Sequence, residues 1–141
     1  MAIQKLKTQA PSVCPARLAL QLGNALSEDG LSVPAGEIQL FVKKWQHWGD
    51  PGQKHAIKPH LLYLMLGGIL EDLGRSLGYE VQTGDGASQW LDDAAPSLLN
   101  TTSELMKIGI AAAGNSHGDL PKHLACQSDC QAIASLKRMR A

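Results

Sequence analysis

Cationic and aromatic side chains are concentrated between residues 43 and 60, in the run KKWQHWGDPGQKHAIKPH. This run holds four Lys, three His and two Trp, but a single acidic residue, Asp50. Cationic side chains displace counterions from phosphate groups, and flat aromatic rings provide surfaces on which bases stack. The run therefore supplies the candidate residues for anion or nucleic-acid binding: Lys43, Lys44, His47, Lys54, His55, Lys58 and His60.

An ordinary amphipathic helix explains part of the same run without any ligand. The apolar residues just before and within it recur at the spacing of one helix face: Ile38, Phe41, Val42 and Trp45. On that helix Lys43, Lys44 and His47 lie on the solvent side. Both tryptophans, Trp45 and Trp48, are then expected in the core. The basic run is thus either a binding site or a solvated helix face.

A second group of residues has the chemistry of a zinc site, because His and Cys are the ligands that zinc prefers. Three of them recur at i, i+3 and i+7 near the end of the chain: His123, Cys126 and Cys130. His117 or Cys14 would have to complete the site, and no paired CxxC motif is present. Ile133 extends the same face, so we interpret the cysteines as small core residues with free thiols and predict neither metal nor cofactor. An odd number of cysteines, three, also argues against a disulfide framework.

Only one stretch of the sequence is similar to a known pattern of catalytic residues. The run LGRSLGYEVQTGDG followed by ELMK resembles, in its order of residues, the nucleases of the PD-(D/E)xK type, with Asp85 as the first acidic residue. Those enzymes place an acidic residue and a Lys one residue apart on a strand. Here Glu104 and Lys107 are three apart in a helical segment, which would lose the metal-binding geometry. We therefore predict no catalytic residue and no enzyme, and keep a metal-dependent enzyme as the third alternative.

The elements that position these residues are predicted to be helices. The chain has 21 Leu and 17 Ala against 7 Ile and 4 Val, and Leu and Ala favour helices over strands. Proline and glycine divide it into five principal helices and one short helical stretch around SQWLDDA. The principal helices are expected at 15–30, 34–49, 59–78, 96–114 and from the Leu120–Pro121 step into the basic end.

The predicted fold class is an all-α, compact single-domain bundle with a buried central helix at 59–78. The first half of that segment is apolar on every side, as in a helix surrounded by others. Its adjacent Gly67 and Gly68 suggest that a neighbouring helix approaches closely. Residues 1–12 are expected to form an N-terminal arm and 137–141 a basic tail. The longest apolar run, 61–70, is about half of what a bilayer requires, so we expect a cytoplasmic protein without membrane contact.

Charge is unevenly distributed although the formal net charge is zero. Residues 1–60 carry a net +3, residues 61–120 a net −6 and the last 21 residues a net +3. Such polarity can orient a charged partner during docking. Together with the absence of a catalytic set, it favours a small interaction module (an adaptor, an inhibitor or a subunit of an assembly) with a protein partner. Nucleic-acid binding through residues 43–60 is the alternative, and self-association is a further option.

Overall fold

The computed structural model of the chain describes five α-helices and confirms the predicted all-α bundle. The described residues are 12–49, 56–82, 88–114, 120–121 and 123–126. The helices are α1 (Pro15–Glu28), α2 (Ala35–Gly49), α3 (Leu62–Ser76), α4 (Ser88–Ala94) and α5 (Pro96–Ala113). A single 3-10 turn, Pro59–Leu61, leads into α3.

Proline and glycine mark the helix ends as predicted. Pro15 and Pro96 occupy the first positions of α1 and α5, where a missing backbone N–H costs no intrahelical hydrogen bond. Gly30 and Gly78 follow α1 and α3 with φ values of 75° and 93°. Residues other than glycine rarely adopt this left-handed backbone conformation, so glycine at these two positions ends the helices.

Four helices form a closed ring around the core. α1 contacts α2, α2 contacts α3, α3 contacts α5, and α5 returns to α1, while α4 packs on α5. Ten of the fifteen residues of α3 are buried, the largest share of the four helices, although Tyr63 and Leu64 in its first half are exposed. The largest fully buried side chains of the ring come from all four helices: Leu18, Leu22, Leu26, Ile38, Leu62, Met65, Leu66, Ile69, Leu73, Leu98 and Leu105.

The predicted close approach at Gly67 and Gly68 occurs at only one of the two glycines. A Cβ atom added at Gly68 would overlap the indole ring of Trp45, whereas one at Gly67 would meet nothing within 4 Å. The neighbour is therefore a side chain of α2 and not a helix backbone. The close backbone approach lies instead at Gly109 of α5, where a Cβ atom would lie 2.9 Å from the backbone nitrogen of Tyr63.

The prediction of a helix beginning at Leu120–Pro121 is wrong for the residues that the structure describes. Residues 123–124 form a turn, and Ala125 makes an antiparallel bridge to Val13. The side chain of Leu124 is fully buried in the core. The Leu124 carbonyl and the Cys126 N–H have hydrogen-bond partners across the bridge, and the N–H groups of Leu124 and Ala125 donate to the Pro121 carbonyl, so a longer helix is not needed to satisfy them. Residues 127–141, including the predicted tail, lie outside the described residues, as does the predicted arm except Ser12.

Val13 connects three parts of the chain. It exchanges two backbone hydrogen bonds with Ile57, at 2.7 and 2.9 Å between nitrogen and oxygen. On either side of the Val13–Ala125 bridge, the Cys14 N–H donates to the Leu124 carbonyl (2.8 Å) and the Cys126 N–H to the Ser12 carbonyl (2.7 Å). We call these residues the Val13 junction: Ser12–Cys14, Ile57 and Leu124–Cys126.

None of the described helices has the length and apolar character needed to cross a membrane.

Candidate interaction surface

One side of α2 faces solvent and carries the residues that could bind a partner. Their positions recur at i, i+3, i+4, i+7 and i+8, so they form a continuous stripe, which we call the α2 outer face: Leu40, Lys43, Lys44, His47 and Trp48. All five are exposed. The stripe faces outward because Ile38 and Val42, on the opposite side of the helix, are buried in the core.

The two tryptophans of α2 occupy different environments, so the prediction that both lie in the core is wrong for Trp48. Trp45 is partly buried and packs over Gly68. Trp48 is 61% exposed and makes a T-shaped contact with Trp45, with 5.5 Å between the ring centroids. A Cβ atom added at Gly49, the last residue of α2, would lie 3.8 Å from the Leu61 side chain. Helical spacing places Trp48 one turn after the exposed Lys44, on the solvent side of α2.

Asp72 of α3 joins α2 to α3 through two hydrogen bonds, and we call the contact between these two helices the seam. Its Oδ2 accepts a hydrogen bond from the Trp45 indole N–H at 2.8 Å and from the Lys44 ammonium at 3.1 Å. The Lys44 ammonium also lies 5.1 Å from the centroid of the Trp45 ring, within the range of a cation–π contact. Lys44 thus forms an ion pair with a carboxylate of α3. A ligand would have to compete with Asp72 for the charge of Lys44.

Sequence reasoning missed this carboxylate and its neighbour, Glu71. Both are buried within the apolar run of α3, and buried charges are stable only when they are paired. Arg75 provides that pairing, because its guanidinium nitrogens lie 3.5 Å from Glu71 Oε1 and 3.5 Å from Asp72 Oδ1. Two acidic residues at i−4 and i−3 from an Arg, inside an otherwise apolar run, are the signal that could have identified them.

The remaining basic candidates lie on two neighbouring elements, since Gln46 of α2 donates a hydrogen bond to the Ala56 carbonyl, just before the 3-10 turn, at 3.2 Å. Lys43 and His47 lie one turn apart on the α2 outer face. Lys58 and His60 are exposed at the 3-10 turn, which packs mainly against α5 and α3. The predicted stretch 43–60 is therefore divided between two elements. Lys54 and His55 lie outside the described residues.

Two of the predicted metal candidates, Cys14 and Cys126, pack together, and His117 lies outside the described residues. His123 is exposed, and its Nε2 lies 3.0 Å from Oε1 of Gln21. Within the described ranges, no group of three or more His, Cys, Asp or Glu side chains is placed to hold a metal ion. Cys14 is disulfide-bonded, so the prediction of free thiols is wrong at this position, whereas Cys126 is a thiol. Cys130 lies outside the described residues.

Two further features offer no catalytic arrangement. Glu104 and Lys107 form an exposed ion pair at 3.5 Å along α5, so the acidic residue and the Lys of the nuclease-like pattern share a helix and not a strand. A groove of about 190 Å³ between α1 and α2 is lined by uncharged residues: Ala19, Leu20, Gly23, Asn24, Ser27, Val33, Ala35 and Ile38. It contains no titratable group for acid–base or nucleophilic chemistry.

Comparison with known protein families, with curated proteins and with solved structures finds no match to this chain.

Proposed function

We propose that the protein is a small non-catalytic helical binding module that uses the α2 outer face to bind a protein segment rich in acidic and apolar residues. The observation that carries the proposal is the 61% exposure of Trp48 on a helix that also exposes Lys43 and His47. Tryptophan is among the residues that contribute most to binding at protein interfaces. An exposed Trp beside basic side chains matches a partner with both apolar and acidic groups.

The apolar part of this surface extends beyond α2. Leu40 is 66% exposed two turns before Trp48, and Leu64 of α3 is 42% exposed. Leu64 lies one turn before Gly68, which packs against Trp45 of α2, so it is close to the seam between α2 and α3. We infer that Leu64 and Trp48 both add exposed apolar surface near this seam. Exposed apolar surface of this kind marks interaction sites when it is contiguous.

The charges support a protein partner more than a nucleic acid. The described part of the outer face presents Lys43 as its outward cation, since Lys44 is paired with Asp72. Residues 61–120 carry a net charge of −6. A polyanion needs several phosphate contacts for useful affinity and would be repelled by this acidic half. A short segment with one or two acidic residues would not.

Selection from a displayed library of random peptides tests the proposal. We expect the parent protein to enrich peptides that combine apolar and acidic residues. Binding of the best synthetic peptide should fall at least about tenfold in Trp48→Ala, a loss of about 1.4 kcal/mol. Lys43→Glu should also weaken it. Ile110→Ala removes an exposed apolar side chain of α5 and is the matched control, expected to bind as the parent does. Peptides without acidic residues, or binding unchanged in Trp48→Ala, would contradict the proposal.

Single-stranded nucleic acid is the second candidate, because an exposed Trp next to a Lys is also a platform on which a base can stack. The two candidates differ in their response to salt. Phosphate binding weakens steeply between 50 and 200 mM salt, whereas binding through an apolar surface changes little. Titration of the protein with a labelled oligonucleotide across this range, with Trp48→Ala as the control, distinguishes them.

A further inference from the structure

Opposite charges without an ion-pair partner lie on two different parts of the described chain. On α2, Lys43 and His47 are exposed, and no described carboxylate lies within ion-pair distance of either. At the end of α4, Asp92 and Asp93 are exposed, and no Lys or Arg of the described ranges is paired with them. Asp93 accepts a hydrogen bond from Gln89 of the same helix at 3.1 Å. Both groups of charges are therefore available to a partner.

The acidic group lies where α4 meets α5. Pro96, the first residue of α5, is exposed and follows Asp92 and Asp93 closely in the sequence. Glu28 adds another exposed carboxylate near this junction, because its neighbour Asp29 accepts hydrogen bonds from the first turn of α5. We call these four residues the acidic corner: Glu28, Asp92, Asp93 and Pro96.

The acidic corner and the α2 outer face lie on different sides of the ring. The ring follows the order α1, α2, α3, α5, so α5 is diagonal to α2, and α4 packs on α5. The two surfaces are also separated along the bundle. α2 begins shortly after Glu28, at the end that carries the corner, and Trp48 lies near its far end. The fifteen residues of α2 correspond to a length of about 22 Å.

We propose that the partner of the α2 outer face is a second copy of this chain, which docks through its acidic corner. This inference rests on the function proposed above. The corner has the chemistry expected of that partner, since it combines carboxylates with an exposed proline ring. In the contact, Lys43 faces the carboxylates and Trp48 packs on Pro96. The formal net charge is zero, so two copies do not repel each other as whole molecules.

The association is head to tail. The two surfaces differ and lie on different sides, so a first contact leaves one surface of each molecule open, and further copies add at the ends. The expected products are chains that lengthen with protein concentration, and not a symmetric dimer of fixed size. Salt screens charges at the surface, so the chains should shorten as the salt concentration rises.

Analytical ultracentrifugation of the full-length protein at low salt tests this inference. The mass of the parent should rise with concentration. Trp48→Ala changes the α2 outer face, and the double variant Asp92→Asn, Asp93→Asn changes the acidic corner. Each should weaken association at least about tenfold. Glu104→Gln is the matched control, because Glu104 is an exposed carboxylate that is paired with Lys107, and it should associate as the parent does.

Circular dichroism checks that each variant keeps the helical fold. If Trp48→Ala does not, Lys43→Gln replaces it, since the exposed Lys43 has no packing role in the core. A mixture of the α2 variant and the double variant then tests the head-to-tail mode. Each protein keeps one intact surface, so equal amounts should form a one-to-one dimer and nothing larger.

The outcomes separate this inference from the proposed function. Undiminished association in either folded variant, or a mixture that stays monomeric, overturns the second copy as partner. A parent that is monomeric at every concentration but binds the selected peptides also overturns it, and leaves the proposed function in place. Chains that both variants lose, in a parent that selects no peptide, support the second copy and contradict a wider peptide-binding function.

Discussion

The carboxylate of Asp29, just after α1, accepts a hydrogen bond from the backbone N–H of Ser97 at 2.9 Å, in the first turn of α5. Its second oxygen accepts another from the N–H of Leu98 at 3.1 Å. The residue that precedes α5, Ala95, has no side chain that could cap the helix. Asp29, 68 residues before Ser97 in the sequence, therefore accepts the backbone hydrogen bonds that the side chain of a local N-cap residue normally accepts. This contact joins α1 and α5, the first and last helices of the ring.

Replacing Asp29 with Ala should destabilise the fold by about 0.5–2 kcal/mol, the usual cost of removing an N-cap side chain. Asp29→Asn should cost less, because the amide oxygen can still accept one of the two hydrogen bonds. Urea unfolding followed by circular dichroism measures both changes. The exposed neighbour Glu28→Ala is the control, for which we expect a change below about 0.5 kcal/mol. Equal stability of Asp29→Ala and Glu28→Ala would show that the contact contributes nothing.

The same contact should make stability depend on pH in acid. Burial raises the pKa of Asp29, but the hydrogen bonds from Ser97 and Leu98 together lower it by more than burial raises it. The pKa of Asp29 in the folded state is therefore below its ordinary value. A lowered folded-state pKa means that the stabilisation is fully present above the unfolded-state value of about 3.9 and is lost as pH falls through the folded-state pKa. The difference in unfolding free energy between the parent and Asp29→Asn should therefore shrink from pH 5 to pH 2. A difference that grows with acidity would refute this.

Gly67 and Gly68 provide a matched pair on α3. Gly68→Ala places a methyl group in the indole ring of Trp45 and should cost about 1–3 kcal/mol through the displacement of that ring. Gly67→Ala meets open space and should stabilise the helix by up to about 1 kcal/mol, because Ala favours a helix more than Gly. Thermal unfolding of the two variants compares them directly. The reverse order of stability would mean that α2 and α3 pack differently.

The two tryptophans of α2 should differ strongly in their effect on stability. Trp45→Ala removes the ring that covers Gly68 and the indole N–H that Asp72 accepts, and we expect a loss of about 3 kcal/mol. Trp48→Ala removes a side chain that is largely in solvent and should change stability by less than about 0.5 kcal/mol. Chemical unfolding of both variants distinguishes a structural Trp from one available for binding. A comparable loss in Trp48→Ala would remove Trp48 from the proposed surface.

Leu73 lies in the centre of the ring and is fully buried. Leu73→Ala should cost about 2–5 kcal/mol, a large part of the stability of a typical domain. Leu40→Ala serves as its control, because Leu40 is an exposed leucine on α2. Denaturant unfolding should show little change for the control. Similar losses at both positions would indicate that Leu40 is not simply exposed.

The helices could be predicted from sequence because their signals are local. Pro15, Pro96, Gly30 and Gly78 act on their own backbone, and the apolar spacing of α3 is visible within one segment. The helix predicted from Leu120–Pro121 failed for the opposite reason. The bridge between Ala125 and Val13 joins residues that are far apart in the sequence, and no local sequence pattern predicts this pairing.

The candidate surface could be predicted only in part for the same physical reason. The solvent side of α2, with Lys43, Lys44 and His47, follows from helical spacing alone. The engagement of Lys44 by Asp72 depends on how α2 packs on α3 and could not be read from either segment. The exposure of Trp48 agrees with the same spacing, because Trp48 lies one turn after Lys44, although large apolar side chains usually favour the core.

The Val13 junction has a consequence for the order in which the chain folds. A contact between Val13 and Ala125 closes a loop that contains almost the whole described chain, and the entropy cost of closing a loop rises with its length. Helical turns form within one segment on a much shorter timescale than such a contact. The helices and their ring are thus expected to form first, with the bridge as a late event that raises the contact order of an otherwise local fold and slows its final step.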